Sequence, residues 1–422
     1  MKRAIYCLGA CAVALFPPLT LPSPPSDGGE GQKRGTGRAS DWPQFRGPNG
    51  SGVSDEKGLP AEWGPNRNVR WKASLPGRGL SCPIITKGRV IVTACSGFKQ
   101  GRLHVLCYRE DDGTKLWERQ FASTGNTQCH PKTCMAAPTP ATDGKAVYAL
   151  FATGDLAALD LDGNQLWYRS LVRDYPDITN QVGMASSPVL SKGVLLVPME
   201  NAGDSFAAGI DTSTGKNLWK VSRTRCINWV TPLVVEREGR AEAIFQTTTD
   251  VTAYEPVTGK VLWSRTGRGT AEVASPVQGE GLLFIAGGEL VALKQGKDGG
   301  RPEVVWKSSR LPTGITTPLY HEGRIYGFKP NIGLTCLDAR NGQFLWQQRV
   351  RGQYSASPVI GDGKAYLASE EGVVTVVQLG QEPKIVGEND MNQTLLATPA
   401  IARGAIYLRS DQTLFCIGAK KK

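Results

Sequence analysis

The chain has 422 residues, 50 of them glycine and 27 proline, with 40% hydrophobic side chains, a composition that favours many short strands and tight turns over long helices. Its formal net charge is +11, of which Lys420, Lys421 and Lys422 supply three and residues 1–40 a net three more, leaving about +5 for the folded part. With no basic run threaded by aromatics inside the repeats, that excess argues against a nucleic-acid partner and for a solvated basic surface.

Met1, Lys2 and Arg3 precede an apolar run over residues 4–16, too short to span a bilayer and suited to a secretory signal. Residues 1–16 are therefore expected to be a signal peptide, and the protein to be exported to the periplasm or cell envelope. Leu8, Gly9, Ala10 and Cys11 resemble a lipoprotein processing site, but Cys11 lies so early that little hydrophobic segment precedes it. Membrane association is expected only if Cys11 is lipidated. Residues 17–40, rich in Pro, Gly and Ser, read as a disordered linker. Two of the ten cysteines fall in the signal; for the other eight an oxidising compartment permits disulfides, and spacing leaves their connectivity open.

The first predicted strand is VRWKA at residues 69–73, carrying Trp71. A dipeptide of Ser, Thr or Cys followed by Pro then recurs at Pro83, Pro140, Pro188, Pro232, Pro276, Pro318, Pro358 and Pro399, at intervals of 57, 48, 44, 44, 42, 40 and 41. After most of these prolines come an apolar stretch, a Gly-containing turn and a second apolar stretch, the pattern of a β-hairpin. A third strand ends near a small residue and an acid, and a fourth carries tryptophan. In the sixth unit these are Cys336, Asp338, Gly342 and Trp346. In the third they are Ala208 and Gly209, Asp211, Gly215 and Trp219, and in the fourth Ala253, Glu255, Gly259 and Trp263. Variants end at Trp117, Trp167 and Trp306.

A four-stranded antiparallel sheet cannot bury both faces alone, so such sheets must stack radially on their neighbours. The tryptophan suits that junction, with its ring between blades, its N–H on a backbone acceptor and a small residue opposite to make room. The seventh unit has residues 381–386 where its tryptophan should fall. The eighth runs out after a third strand at residues 414–417, so the strand bearing Trp71 is expected to complete it and remove two exposed edges. The fold expected is all-β, an eight-bladed β-propeller of four-stranded antiparallel blades, closed by an N-terminal strand completing the last blade. Residues 41–418 form its single domain, residues 419–422 a basic tail, and the protein is a monomer.

The repeated Ala-x-Asp-x-x-x-Gly-x-x-x-Trp resembles the docking motif of the PQQ-like (pyrroloquinoline-quinone repeat) propeller family, over roughly residues 41–418. The run DWPQFRGPNGSGVS at residues 41–54 is similar to leader segments on bacterial propellers of this type. The family includes PQQ-dependent alcohol dehydrogenases and the outer-membrane assembly lipoprotein BamB, which has the fold without the cofactor. For a dehydrogenase the resemblance implies adjacent cysteines near the quinone, a stacking tryptophan, Ca²⁺ ligands and a catalytic aspartate. No two cysteines are adjacent here, and no CxxCH haem-attachment motif is present. The expectation is therefore a propeller without cofactor or metal, binding a protein or peptide of the cell envelope. The alternatives are a PQQ- and Ca²⁺-dependent oxidoreductase with an atypical site, and a carbohydrate- or surface-binding module.

Three scattered histidines assemble no Ser/His/Asp constellation, and neither a G-x-S-x-G elbow nor a P-loop occurs, so no catalytic residue is assigned. The run Cys129-His130-Pro131-Lys132-Thr133-Cys134 offers two thiols and an imidazole without a fourth metal ligand, which leaves a local disulfide or two free thiols. Cys82 and Cys95 flank the first hairpin as another possible pair. Cys107, Cys336 and Cys416 occupy the small-residue slot and are expected to be buried and inert. Loops before the Pro-marked strands vary most, and they supply the rim candidates for binding: Arg78, His130, Asn228, Trp229, Glu272 and Tyr354.

Overall fold

Each Pro-marked step launches a short strand, because proline lacks the amide that would extend the ladder backwards. The computed structural model describes residues 41–419 apart from 65–66, 180, 238, 268–272, 297–299, 312–313 and 330–331, and its strands pair into eight sheets. Blade 1 comprises Ile84–Thr86, Arg89–Ser96, Arg102–Arg109 and Lys115–Ala122; blade 6 comprises Leu319–His321, Arg324–Lys329, Gly333–Asp338 and Phe344–Gln348. The first strands of the other blades are Ala141–Thr142, Val189–Ser191, Leu233–Arg237, Val277–Gly279, Val359–Gly361 and Ala400–Ala402. First strands of successive blades touch one another from blade 1 to blade 4 and from blade 5 to blade 8. The eighth blade is completed by Val69–Ser74, antiparallel to Thr413–Ile417, with Trp71 opposite Cys416.

Each fourth strand carries one bulge. The extra residue sits immediately before the tryptophan slot, turning the ring onto the junction between blades and its predecessor outwards. Leu166 and Leu218, in that preceding position, are correspondingly exposed. Across the pair stands the small residue: Cys107 opposite Trp117, Gly209 opposite Trp219, Ala253 opposite Trp263 and Cys336 opposite Trp346. Burial pushes the Cys107, Cys336 and Cys416 thiols up to about 12.

The ring of one blade lies on the turn glycine of the next. A Cβ added at Gly113, Gly163, Gly215, Gly259 or Gly342 would lie 2.6–2.8 Å from the indole of Trp71, Trp117, Trp167, Trp219 or Trp306 respectively. The indole N–H groups donate to the next blade's backbone: Trp71 to Glu110 O at 2.7 Å, Trp117 to Leu161 O at 2.9 Å, Trp167 to Thr212 O at 2.9 Å and Trp219 to Pro256 O at 2.8 Å. Trp306 and Trp346 do the same to Ala339 O and Gly380 O, both at 3.0 Å. Trp263 differs, donating at 3.1 Å to Glu242 Oε2 of its own blade.

Blade 7 has Gly387 in the tryptophan slot, opposite Val376. A side chain there would collide with the Ala61 carbonyl. The incoming chain occupies the space instead. Trp63 is buried, its amide donates to Asn389 Oδ1 at 2.7 Å, and Asn389 Nδ2 donates to Ala61 O at 2.9 Å. Trp63 thus joins the core shared by blades 7 and 8.

Before reaching that point, residues 41–54 cross one end of the axis. Trp42 exchanges backbone hydrogen bonds with Ile85 of blade 1 at 2.8 and 2.9 Å, and Pro43 O accepts from Thr142 N of blade 2 at 2.9 Å. Val53–Ser54 lies parallel to Ile360 and Gly361 of blade 7. Gly47, at φ 67°, packs beneath the Trp42 indole with no room for a Cβ. Arg46, 1% exposed, donates to Gly50 O at 3.2 Å, Ser51 O at 3.0 Å and Pro318 O at 2.6 Å, and to Thr317 O and Pro358 O at 3.5 Å.

Candidate functional site: a one-ended axial cavity

The residue before each marked proline cannot pass its amide to a continuing ladder, so the amide turns sideways to the next blade. Cys82 N donates to Thr139 Oγ1 at 2.9 Å, Thr139 N to Ser187 Oγ at 3.0 Å, Ser187 N to Thr231 Oγ1 at 3.1 Å and Thr231 N to Ser275 Oγ at 3.0 Å. Ser275 N continues to Thr317 Oγ1 at 3.0 Å, Thr317 N to Ser357 Oγ at 3.0 Å and Ser357 N to Thr398 Oγ1 at 3.1 Å. At the last junction Cys82 replaces the hydroxyl, and its thiol faces Pro399 O at 3.7 Å. This explains why Ser, Thr or Cys precedes every marked proline. Each hydroxyl oxygen accepts an amide and keeps its own proton to donate.

Above this ring lies a cavity of about 270 Å³. Phe45 of the leader closes its floor, Leu80, Ile315 and Leu396 line its wall, and His130, Lys132 and Trp229 reach it from the open end. Lys132 Nζ lies 2.8 Å from Glu370 Oε2, joining the segment before blade 2 to blade 7, and Ser355 Oγ donates to Glu370 Oε1 at 2.7 Å. A calcium-held quinone would need converging carboxylate or amide oxygens beside it. No carboxylate is among the described residues lining the cavity, and Glu370, just behind them, is already held by Lys132 and Ser355. Those residues do not fit a Ca²⁺-held quinone.

Of the rim candidates, His130 and Trp229 line the cavity. His130 Nδ1 accepts from Lys132 N at 3.1 Å, and the half-buried Trp229 donates its indole N–H to Gly183 O at 2.7 Å. Arg78 donates to Pro131 O and lies 3.5 Å from Asp411, bracing adjoining segments. Asn228 and Tyr354 are buried. Asn228 donates to Gln246 O at 2.7 Å and to the Glu200 carboxylate, while Tyr354 packs 4.1 Å from the Phe328 ring and donates to Arg351 O at 2.9 Å. Both therefore serve packing rather than an open rim. Glu272 lies outside the described residues.

Beneath Asn228, Arg223 bridges Glu200 at 2.9 Å and Asp250 at 2.9 Å. Burial pushes the Glu200 carboxyl up despite Arg223; at Asp250 burial also pushes up, but Arg223 and the threonine hydroxyls outweigh it and hold the carboxyl below its usual range. On blade 1, Ser96 Oγ lies 2.7 Å from His104 Nε2, and His104 Nδ1 lies 2.8 Å from Glu118 Oε1. Sequence reading missed this chain, because its members become neighbours only through the register of two hairpins. His104 is buried, Ser96 is partly exposed, and the three side chains form a polar ladder across the sheet. Among the described residues no group of three or more His, Cys, Asp or Glu side chains is arranged to hold a metal.

Neither anticipated cysteine pairing forms. Cys82 belongs to the hydroxyl ring, and the Cys129 thiol donates to Thr133 O at 3.6 Å rather than meeting Cys134.

A family model described as outer membrane protein assembly factor BamB matches residues 62–220, 177–348 and 301–382, more than half of the chain. The BamB of Yersinia pestis is 23% identical over 333 residues, covering 70% of this chain and 75% of its own. Among solved structures, BamB from Moraxella catarrhalis superposes with a TM-score of 0.61 at 16% identity, over 83% of this chain and 97% of its own. The quinohemoprotein alcohol dehydrogenase from Comamonas testosteroni does so with a TM-score of 0.67 at 13% identity, over 90% and 81%. At such identities the structural likenesses speak for the fold alone.

Proposed function

The chain belongs to the PQQ-like propeller family described as outer membrane protein assembly factor BamB, and from that membership we propose that it is an exported, noncatalytic propeller that binds a protein or peptide of the cell envelope. The observation carrying this reading is the one-ended cavity. With Phe45 as its floor, a ligand enters only from the mouth, where Trp229 and the 47% exposed Ile315 offer apolar surface beside the basic Lys132. An aromatic and apolar centre with a charged margin is the usual composition of a peptide-binding spot. Seven ring hydroxyls below it keep donors for carbonyl oxygens of an inserted segment. The envelope setting and the protein partner rest on the family and on the expected signal peptide.

A photo-crosslinking residue placed at Ile315 in cells should give a discrete protein adduct, and Trp229→Ala should remove it. The same residue at Lys192, beside Gln44 and Asn49 near the leader, should give none. Equal adducts from both positions, or chelator-sensitive dye reduction by the purified protein with PQQ and Ca²⁺, would overturn the reading.

A further inference from the structure

The seven Ser and Thr side chains of the axial ring line the cavity, are at most 6% exposed, and each oxygen already accepts the amide of the preceding blade. None of the seven donates its own proton to another described residue. A buried hydroxyl proton without an acceptor is costly, so the ring is completed by a group from outside that brings several oxygens.

The charge beside the ring favours the same kind of group. Arg46, 1% exposed, reaches the carbonyls of Thr317 at 3.5 Å and Pro318 at 2.6 Å. Arg409, also 1% exposed, donates to Ser81 Oγ at 3.0 Å, next to Cys82 of the ring. Among the described residues neither guanidinium forms an ion pair with a carboxylate. Two buried cations without counter-ions favour an anion in the space next to them. The cavity lining holds no carboxylate, and Glu370 behind it is matched by Lys132. The wall, by contrast, is apolar, with Leu80, Val273, Ile315 and Leu396.

A ligand suited to this cavity therefore joins an anionic oxygen head to an apolar stem. Because Phe45 closes the floor, an internal loop would have to enter and leave through one mouth, whereas a chain end has only to enter. The chain end that carries an anion is the C-terminus; an N-terminal ammonium would meet donors and like charge. We infer that the cavity captures the C-terminal carboxylate of the partner polypeptide, with ring hydroxyls donating to its oxygens and an apolar last side chain against the wall. This deepens the peptide-binding reading above and rests on it. Convergent donors are a recurring means of holding a terminal carboxylate. Here the donors are hydroxyls, fixed in place because the blades engage their oxygens. A cavity of about 270 Å³ takes the end of a chain and not a folded domain.

The test presents the purified full chain to an array of peptides of mixed sequence ending in leucine, isoleucine or phenylalanine, each made as the free C-terminal acid and as the C-terminal amide. Free acids should bind about tenfold or more tightly than their amides, the difference between charge-assisted and neutral hydrogen bonds. Ile315→Glu, at an exposed position of the mouth, should erase that preference, and Ile315→Gln should retain it. N-acetyl-leucine should displace the acids, and N-acetyl-leucine amide should not. Acids and amides binding alike, no effect of Ile315→Glu, or no acid binding while the Ile315 crosslink still forms in cells would each overturn the inference. Acetate displacing the acids as well as N-acetyl-leucine does would reduce the site to one for any small carboxylate and sink the chain-end assignment. In all these cases the peptide-binding reading survives as long as the crosslink forms, so the two fail separately.

Discussion

Arg46 shows how one side chain can be tuned to one place. Burial pushes its guanidinium down to about 9, so keeping it charged at neutral pH opposes folding, and donation to leader and blade carbonyls offsets that cost. Arg46→Met leaves those buried carbonyls without donors and should destabilise by about 2–4 kcal/mol, read from urea unfolding. A change below about 0.5 kcal/mol would mean that water replaces the side chain freely. The tryptophans separate in the same assay. Trp219→Ala or Trp346→Ala should cost about 3–5 kcal/mol, because each leaves a void against a glycine or cysteine that cannot fill it. Trp229→Ala, half-exposed at the cavity mouth, should cost far less. Glu118 supplies a pH test. Its own burial raises the carboxyl, but hydrogen bonds from Lys115, His104 and Gln120 outweigh that and hold it at about 2. A folded pKa below the unfolded value stabilises above the ordinary carboxylate range and loses that effect as pH falls towards about 2. The stability gap between the protein and Glu118→Gln should therefore be full at pH 7 and shrink from pH ~4.5 downward. A gap constant with pH would show that the carboxylate charge contributes nothing.

At the scale of elements, what repeats could be read and what occurs once could not. The tryptophan, the small residue opposite and the turn glycine recur because every junction between blades poses the same packing problem, and their spacing implied both the sheets and the strand closing blade 8. The Ser/Thr-Pro step was visible as a marker, but its role was hidden, since a hydroxyl accepting from the preceding blade requires the blades to stand in a ring. The same holds for Trp63. Its partner Asn389 lies 326 residues away, so no local spacing connects them. Asn228 and Tyr354 sit in variable loops, yet each turns inward, and loop position alone carries no information about that direction. The bulges give a check at this scale. Leu166→Lys and Leu218→Lys should change stability by less than about 0.5 kcal/mol, because the bulge already holds both side chains in solvent. A loss comparable to that of a docking tryptophan would show that the blade edges are covered.

For the whole molecule, the ring closes in two layers. Val69–Ser74 supplies the hydrogen bonds that remove the open edges of blade 8, and Gly418 N donates to Asn68 O at 2.8 Å, bringing the two ends of the propeller together. Residues 41–64 add a second closure across the axis, with Trp42 on blade 1, Arg46 between blades 6 and 7 and Trp63 at blade 7. Residues 41–61 precede the span that matches the family model, so this plug is an addition to the matched repeats. The two layers should fail differently. A chain beginning at residue 67 keeps its fourth strand, so it should still unfold in one cooperative transition, but at lower temperature and with the cavity open at both ends. A chain beginning at residue 76 loses Trp71 and exposes the outer edge of Thr413–Ile417. Radially stacked blades hold mainly through their neighbours, so the break should travel into blades 8 and 1, broaden the transition and promote association through the bare edge. Calorimetry and sedimentation distinguish these outcomes. If both truncations melt alike, closure resides in the leader rather than in the strand.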